Sequence, residues 1–167
     1  MMVDIAKAVD VDLLIWSGLE SPSKASGGKY TKVNHFESKA AVTDYARKSG
    51  VPFVNVQAGG YASNFTTFFK FEKQIDGSYV LALPYSQSII IPIIDMVEDY
   101  GMFVREAIES PAFGAGTEIL TCGELISFAD IISQLAESAR FTVHPVPYEL
   151  TDTRLESYWE ENQLCSS

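Results

Sequence analysis

His35 and Lys39, in the stretch YTKVNHFESKA (residues 30–40), stand four residues apart where a helix is expected to begin. One helical turn separates them, so both side chains share a face, roughly 5–6 Å apart at Cβ. An imidazole exchanges a proton near neutral pH, whereas an ammonium offers a permanent charge and three donors. Three readings fit such a pair: a catalytic acid–base couple, half of a cofactor site, or two solvated polar groups that merely share a face. The stretch alone leaves all three open.

Other residues with chemical potential are sparser. Gly59 and Gly60 close the run FVNVQAGGY. At the carboxyl end of a strand, missing Cβ atoms allow backbone to approach a ring or a ribose, although an ordinary strand-to-helix turn also uses glycine. Asp95, Glu98 and Asp99 crowd the start of a second expected helix, which suits the positive end of its dipole better than a metal. Cys122 and Cys165 have no metal-like spacing; a reduced intracellular protein is the simpler reading, with a disulfide left open. His144, beside Pro145, reads as a surface or cleft-lining residue.

Composition narrows the function class. The 167 residues are 47% apolar and 20% charged, which suits one folded domain. A formal charge of −10, from 22 acids against 12 bases, disfavours direct nucleic-acid binding. No polybasic patch addresses anionic lipid, and the longest apolar run, SIIIPII, is too short to span a bilayer. The first residues lack the basic flank and cleavage site of a signal peptide, so a cytoplasmic place is expected, with the nucleus as alternative.

The elements that must position these residues follow from periodicity. Residues 4–9 read as the end of a helix and 11–18 as a buried strand ending in Ser-Gly. A Ser/Gly/Pro loop spans 19–30. A helix is expected over 35–49, with Val42, Tyr45, Ala46 and Ser49 inward and Gly50 as its stop, followed by a strand at 52–58. Strand, loop, helix and strand spell one right-handed crossover of a parallel sheet. Further on, Asp76-Gly77 turns a hairpin and IIIPIID is a short strand. A helix near 97–110 should point Val97, Gly101, Val104 and Ile108 inward and pack on the parallel sheet. Residues 117–128 read as strand-like. Ser127 caps a helix that turns Phe128, Ile131, Ile132 and Leu135 inward, then FTVHPVP extends and RLESYWEEN forms a short helix. No G-x-G-x-x-G phosphate loop occurs anywhere.

Residues 13–65, with GGKY ahead of HFESKAAVTDYARKSGVPF and a strand ending GGYASNF, resemble the NmrA-like family, an atypical branch of the short-chain dehydrogenase/reductase superfamily. IPIIDMVEDYGMFVREAIESP and GELISFADIISQLAE fit the same family. The resemblance covers nearly all of residues 5–150. It implies an α/β fold: a partial Rossmann-like parallel sheet with a smaller C-terminal α+β lobe. Residues 1–64 would be the remainder of a dinucleotide-binding core and 65–167 mainly a substrate or partner lobe, all within one domain. The family's first strands, phosphate loop and 2′-phosphate-reading residue have no counterpart here, so a truncated form is expected.

The resemblance also assigns roles. The parent superfamily carries Tyr-x-x-x-Lys on this helix, and here His35 stands at the Tyr position and Lys39 at the Lys position. Lys39 is then the expected ribose contact, and His35 a weak acid–base or a bystander at the helix start. Ser17 matches the superfamily's catalytic Ser, and Gly59, Gly60, Tyr61 and Ala62 would line the nicotinamide side. Asn64 and Tyr30 would face a substrate cleft. No metal is expected. The implied function is an NAD(P)-binding regulator that senses dinucleotide and controls a partner such as a transcription regulator. The alternatives are an NAD(P)H-dependent oxidoreductase of the isoflavone-reductase-like type and an inactive fragment. Binding of NADP or NAD is expected to be impaired.

Overall fold

The computed structural model describes residues 2–69, 71–83, 86–140 and 142–147. In chain order these form α1 (Met2–Ala8), β1 (Leu14–Trp16), α2 (Pro22–Ala25), α3 (Asn34–Ser49) and β2 (Phe53–Ala58). Next come β3 (Gly60–Tyr61), α4 (Asn64–Thr67), β4 (Phe71–Lys73), β5 (Tyr79–Leu83) and β6 (Ile90–Ile94). The last are α5 (Tyr100–Glu109), β7 (Glu118–Thr121), β8 (Glu124–Ser127), α6 (Phe128–Ala139) and β9 (Val143–Pro147). The helix expected over RLESYWEEN, and Cys165, lie outside the described residues.

The chain divides into two compact units: residues up to 66 with 92–125, and residues 67–91 with the described residues from 126 onward. The helix after the acidic cluster lies in the first of these units.

The first unit is built on a parallel sheet in the order β1-β2-β7, with Leu14 opposite Phe53, Trp16 opposite Asn55 and Ala58 opposite Thr121. This is the crossover expected from residues 11–60. β2 lies in the middle and is buried from Phe53 to Gln57, which explains why it reads as a near-continuous apolar run. Its side chains alternate. Phe53 joins Val3, Ala6, Ala46 and Val51, against which Leu14, Trp16 and Val42 pack. Val54 and Val56 face the other way, with Ala107, Ile119, Ile15 and Tyr100. α1 and α3 thus cover one face and α5 the other. Gly50 closes α3 in the left-handed conformation at φ 77°, as its type predicts. In a second parallel pairing Gly60 lies opposite Ile93 and Tyr61 opposite Ile94.

The second unit holds the hairpin. β4 and β5 pair antiparallel, Phe71 opposite Leu81. Asp76 Oδ1 accepts the Ser78 N–H at 2.9 Å, and Gly77 takes φ 85°, so the Asp-Gly signal acts through an Asx-type turn. β9 adds to β5 in parallel. Ser127 caps α6 by accepting the Asp130 N–H at 3.1 Å, while Phe128, Ile131 and Ile132 are buried.

Several expectations need correction. β1 is three residues long rather than eight, and the loop 19–30 contains α2, capped by Ser21, whose hydroxyl accepts from Lys24 N. α3 buries Ala40, Thr43 and Ala46; Tyr45 is half exposed because its phenol reaches out to Asp4. α5 starts at Tyr100, not near 97. Asp95 Oδ1 accepts the Val97 and Glu98 N–H groups, a local turn that delays the helix and rotates its inward side to Tyr100, Phe103, Val104 and Ala107. Val97 and Ile108, expected inward, are 86% and 62% exposed, and Gly101 is also exposed. The strand expected over 117–128 is two strands broken at Cys122-Gly123, where the Gly123 N–H turns to Ile93 O. Cys122 itself is free and half-buried.

Candidate functional site

The carboxyl ends of β1 and β2 gather the polar side chains. Trp16, Ser17 and Gly18 form the segment that leaves β1, and each is held by a side chain from another element. The Trp16 indole N–H donates to Thr43 Oγ1 on α3 at 3.1 Å. Lys39 Nζ, one turn earlier on α3, donates to the Ser17 backbone carbonyl at 3.0 Å. The Gly18 N–H donates to Asn55 Oδ1 on β2 at 3.0 Å. The Tyr100 hydroxyl, on the first turn of α5, lies 2.9 Å from Ser17 Oγ and 3.0 Å from the Val56 carbonyl oxygen. A phenol has one proton, so when Val56 O takes it, the Ser17 hydroxyl is the donor to Tyr100.

Lys39 is half-buried, and one of its three N–H groups is committed to Ser17 O. Among the described residues its ammonium makes no second hydrogen bond, which leaves two donors for a ligand. His35 behaves differently. Its imidazole is exposed and forms a T-shaped pair with the Phe36 ring, centroids 4.9 Å apart, and among the described residues it makes no hydrogen bond to Lys39. The shared helical face therefore does not bring the two side chains into one network.

The loop ahead of α3 is tied down by Glu37. Its Oε1 accepts the Ser23 N–H at 2.7 Å and its Oε2 the Ser21 hydroxyl at 2.8 Å. The Ser23 amide, then the Ser21 hydroxyl, hold the carboxyl below the usual Glu range. Tyr30 ends that loop, 55% exposed, with the Lys29 ammonium 5.2 Å from its ring centre. No contact joins Tyr30 to Lys39 or Ser17 among the described residues.

Gly59 and Gly60 have a structural reason that needs no ligand. A Cβ on Gly59 would lie 2.8 Å from the Pro92 carbonyl oxygen and 3.1 Å from that of Thr121. One on Gly60 would lie 3.2 Å from Ile93 Cδ1. The glycines let β2 run on into β3 beside β6. Tyr61 is exposed, Ala62 donates its N–H to Ile94 O at 3.0 Å, and Asn64 opens the one-turn α4.

A polar cavity of about 300 Å³ lies beside α3, lined by Ser21, Lys24, Thr43, Asn55, Gln57 and Glu118 among others. Several of its charges are paired internally: Lys24 with Asp44, and Arg47 with both Asp44 and Glu118. Among the described residues no group of His, Cys, Asp and Glu is arranged to hold a metal, and no helix is long and apolar enough to cross a membrane.

Asn55, Thr43 and Tyr100 were not singled out from sequence. Asn55 had a usable signal: it is a polar residue in the middle of a strand, flanked by Val54 and Val56, and such a group is buried only with a partner. Tyr100 had none, because its partners are 83 and 44 residues away.

A parallel layer with helices on both faces and polar groups collected at the strand ends defines a Rossmann-like α/β protein. Residues 1–151 match the model of the NmrA-like family, and the chain belongs to that family. It is 25% identical over 132 residues to the nitrogen metabolite repression protein nmr of Neurospora crassa, covering 75% of this chain and 27% of the relative. To the nitrogen metabolite repression protein nmrA of Emericella nidulans it is 30% identical over 105 residues, 60% of this chain and 29% of the relative. The crystal structure of Nmra, a negative transcriptional regulator, superposes with a TM-score of 0.77 at 24% identity, over 88% of this chain and 47% of that one. The same regulator has been solved in complex with NAD and in complex with NADP. The chain thus spans less than a third of the curated relatives it matches and about half of the solved regulator.

Proposed function

We propose that these residues form the nicotinamide-side half of an NmrA-like, dinucleotide-sensing regulator whose partner is a protein such as a transcription regulator. The observation that carries the reading is Lys39. Its ammonium is anchored at the carboxyl end of β1 with two N–H groups to spare, where an open α/β sheet receives its ligand. In this reading Lys39 takes the ribose hydroxyls. Ser17, Gly59, Gly60, Tyr61 and Ala62 border the nicotinamide, and Asn64 and Tyr30 border the cleft beyond it. The names of the relatives support the regulatory role, and a cytoplasmic or nuclear place is part of the same proposal. Hydride transfer of the isoflavone-reductase-like type is the second reading: with His35 exposed and outside the Lys39–Ser17 network, it would use Lys39 as the base.

No Gly-rich phosphate loop occurs in residues 1–167. Each charge-assisted phosphate contact is worth about 1.5–3 kcal/mol. Without several of them, a Kd for NADP of about 1 mM or weaker is expected for this chain. Calorimetry with NADP tests the reading: weak binding that Lys39→Ala weakens further supports it. Micromolar affinity, or affinity unchanged by Lys39→Ala, overturns it.

A further inference from the structure

The peptide unit between Ser17 and Gly18 is gripped at both ends. Its carbonyl accepts the Lys39 ammonium at 3.0 Å, and its N–H donates to Asn55 Oδ1, also at 3.0 Å. A trans peptide is planar, with its C=O and N–H pointing in opposite directions. Fixing the N–H therefore fixes where the carbonyl aims, and with it where Lys39 Nζ comes to rest. We propose that Asn55 is a positioning residue for the Lys39 ammonium, acting through this one peptide plane.

Four features favour the assignment. Asn55 is 1% exposed and sits between Val54 and Val56 in the most buried strand, so its own rotamer is locked by packing. A buried amide is costly unless it has a partner, and the Gly18 N–H supplies one. The close approach requires glycine: a Cβ at position 18 would fall 2.2 Å from Asn55 Oδ1 and 2.8 Å from Thr43 Oγ1. Finally, an amide whose N–H donates into a low-dielectric site becomes the better acceptor at its C=O. The grip of Asn55 thus strengthens the Lys39 bond as well as aiming it. That Lys39 then meets a dinucleotide rests on the function proposed above; that Asn55 places it does not.

The experiment reads Lys39 directly and adds no ligand, so it stands or falls apart from the cofactor reading. In the 15N-labelled chain, the Lys39 Nζ ammonium signal should exchange with water more slowly than that of the exposed Lys32. Asn55→Leu, which keeps volume and removes the acceptor, should speed that exchange about tenfold, the worth of one neutral hydrogen bond. Asn55→Asp, which restores an acceptor oxygen, should recover the slow exchange. A folded Asn55→Leu protein with an unchanged Lys39 signal overturns the proposal, since a purely structural Asn55 would alter melting and leave that signal alone. Should Asn55→Leu fail to fold, the Gly18 amide of the unaltered chain decides. Protection from hydrogen exchange supports the proposal, and exchange at the rate of a free peptide overturns it.

Discussion

Lys39 and His35 show how far one helical turn is from one function. Both project from the start of α3, yet Lys39 reaches Ser17 O while the His35 ring lies on Phe36. The difference is placement: Lys39 sits one residue before the buried Ala40, whereas His35 lies a turn earlier on exposed helix. His35→Phe should therefore leave NADP binding by this chain unchanged and alter stability by no more than about 0.5 kcal/mol, as exposed positions do. A titration against the unaltered chain, with a thermal melt beside it, checks both halves. Glu37 carries a pH prediction. Its folded carboxyl titrates below the ordinary Glu value, because the Ser23 amide and then the Ser21 hydroxyl bind the ionised form. Its contribution is present above the unfolded pKa and lost as pH falls through the folded one. The Ser23 amide resonance should follow that loss on acidification, and in Glu37→Gln it should no longer titrate. A Ser23 signal that titrates at or above the usual Glu value would contradict the assignment.

At the scale of elements, β2 and α6 were the most legible. FVNVQA is buried on both faces and therefore reads as a strand, and Ser127 caps α6 as its type and position foretold. What sequence did not show was the phase of α3 and α5. Periodicity finds a helix, but the first bonded residue sets which side faces inward. At α5 the Asp95 turn consumed the residues that periodicity had assigned to the helix. The break of β7 from β8 is hidden for a similar reason, since it depends on Ile93 O, contributed by another strand. The caps give measurable costs. Ser127→Ala should destabilise the protein by about 1 kcal/mol through the lost N-cap. Gly50→Ala forces a Cβ into the left-handed region at φ 77° and should cost about 1–2 kcal/mol. Chemical denaturation resolves both, and a neutral Gly50→Ala would mean that α3 ends elsewhere.

At the scale of the whole molecule, the family membership, the parallel layer and the position of Lys39 are what the proposal rests on, that the carboxyl ends of β1 and β2 form the nicotinamide side of a dinucleotide site. Cofactor recognition divides into a phosphate grip and a ring-and-ribose grip, and residues 1–167 carry no Gly-rich loop for the first. The candidate residues were legible because a resemblance pointed to them. The network that holds them was not, because Asn55, Thr43 and Tyr100 meet the 16–18 segment only after folding. The most direct test of the account uses a ligand that asks for the second grip alone. In a titration of the 15N-labelled chain with nicotinamide mononucleotide, the amide shifts should concentrate at Ser17, Gly18, Lys39 and Gly59–Ala62, and Lys39→Ala should abolish them. Shifts confined to other parts of the chain, or shifts at these residues that survive Lys39→Ala, would contradict it.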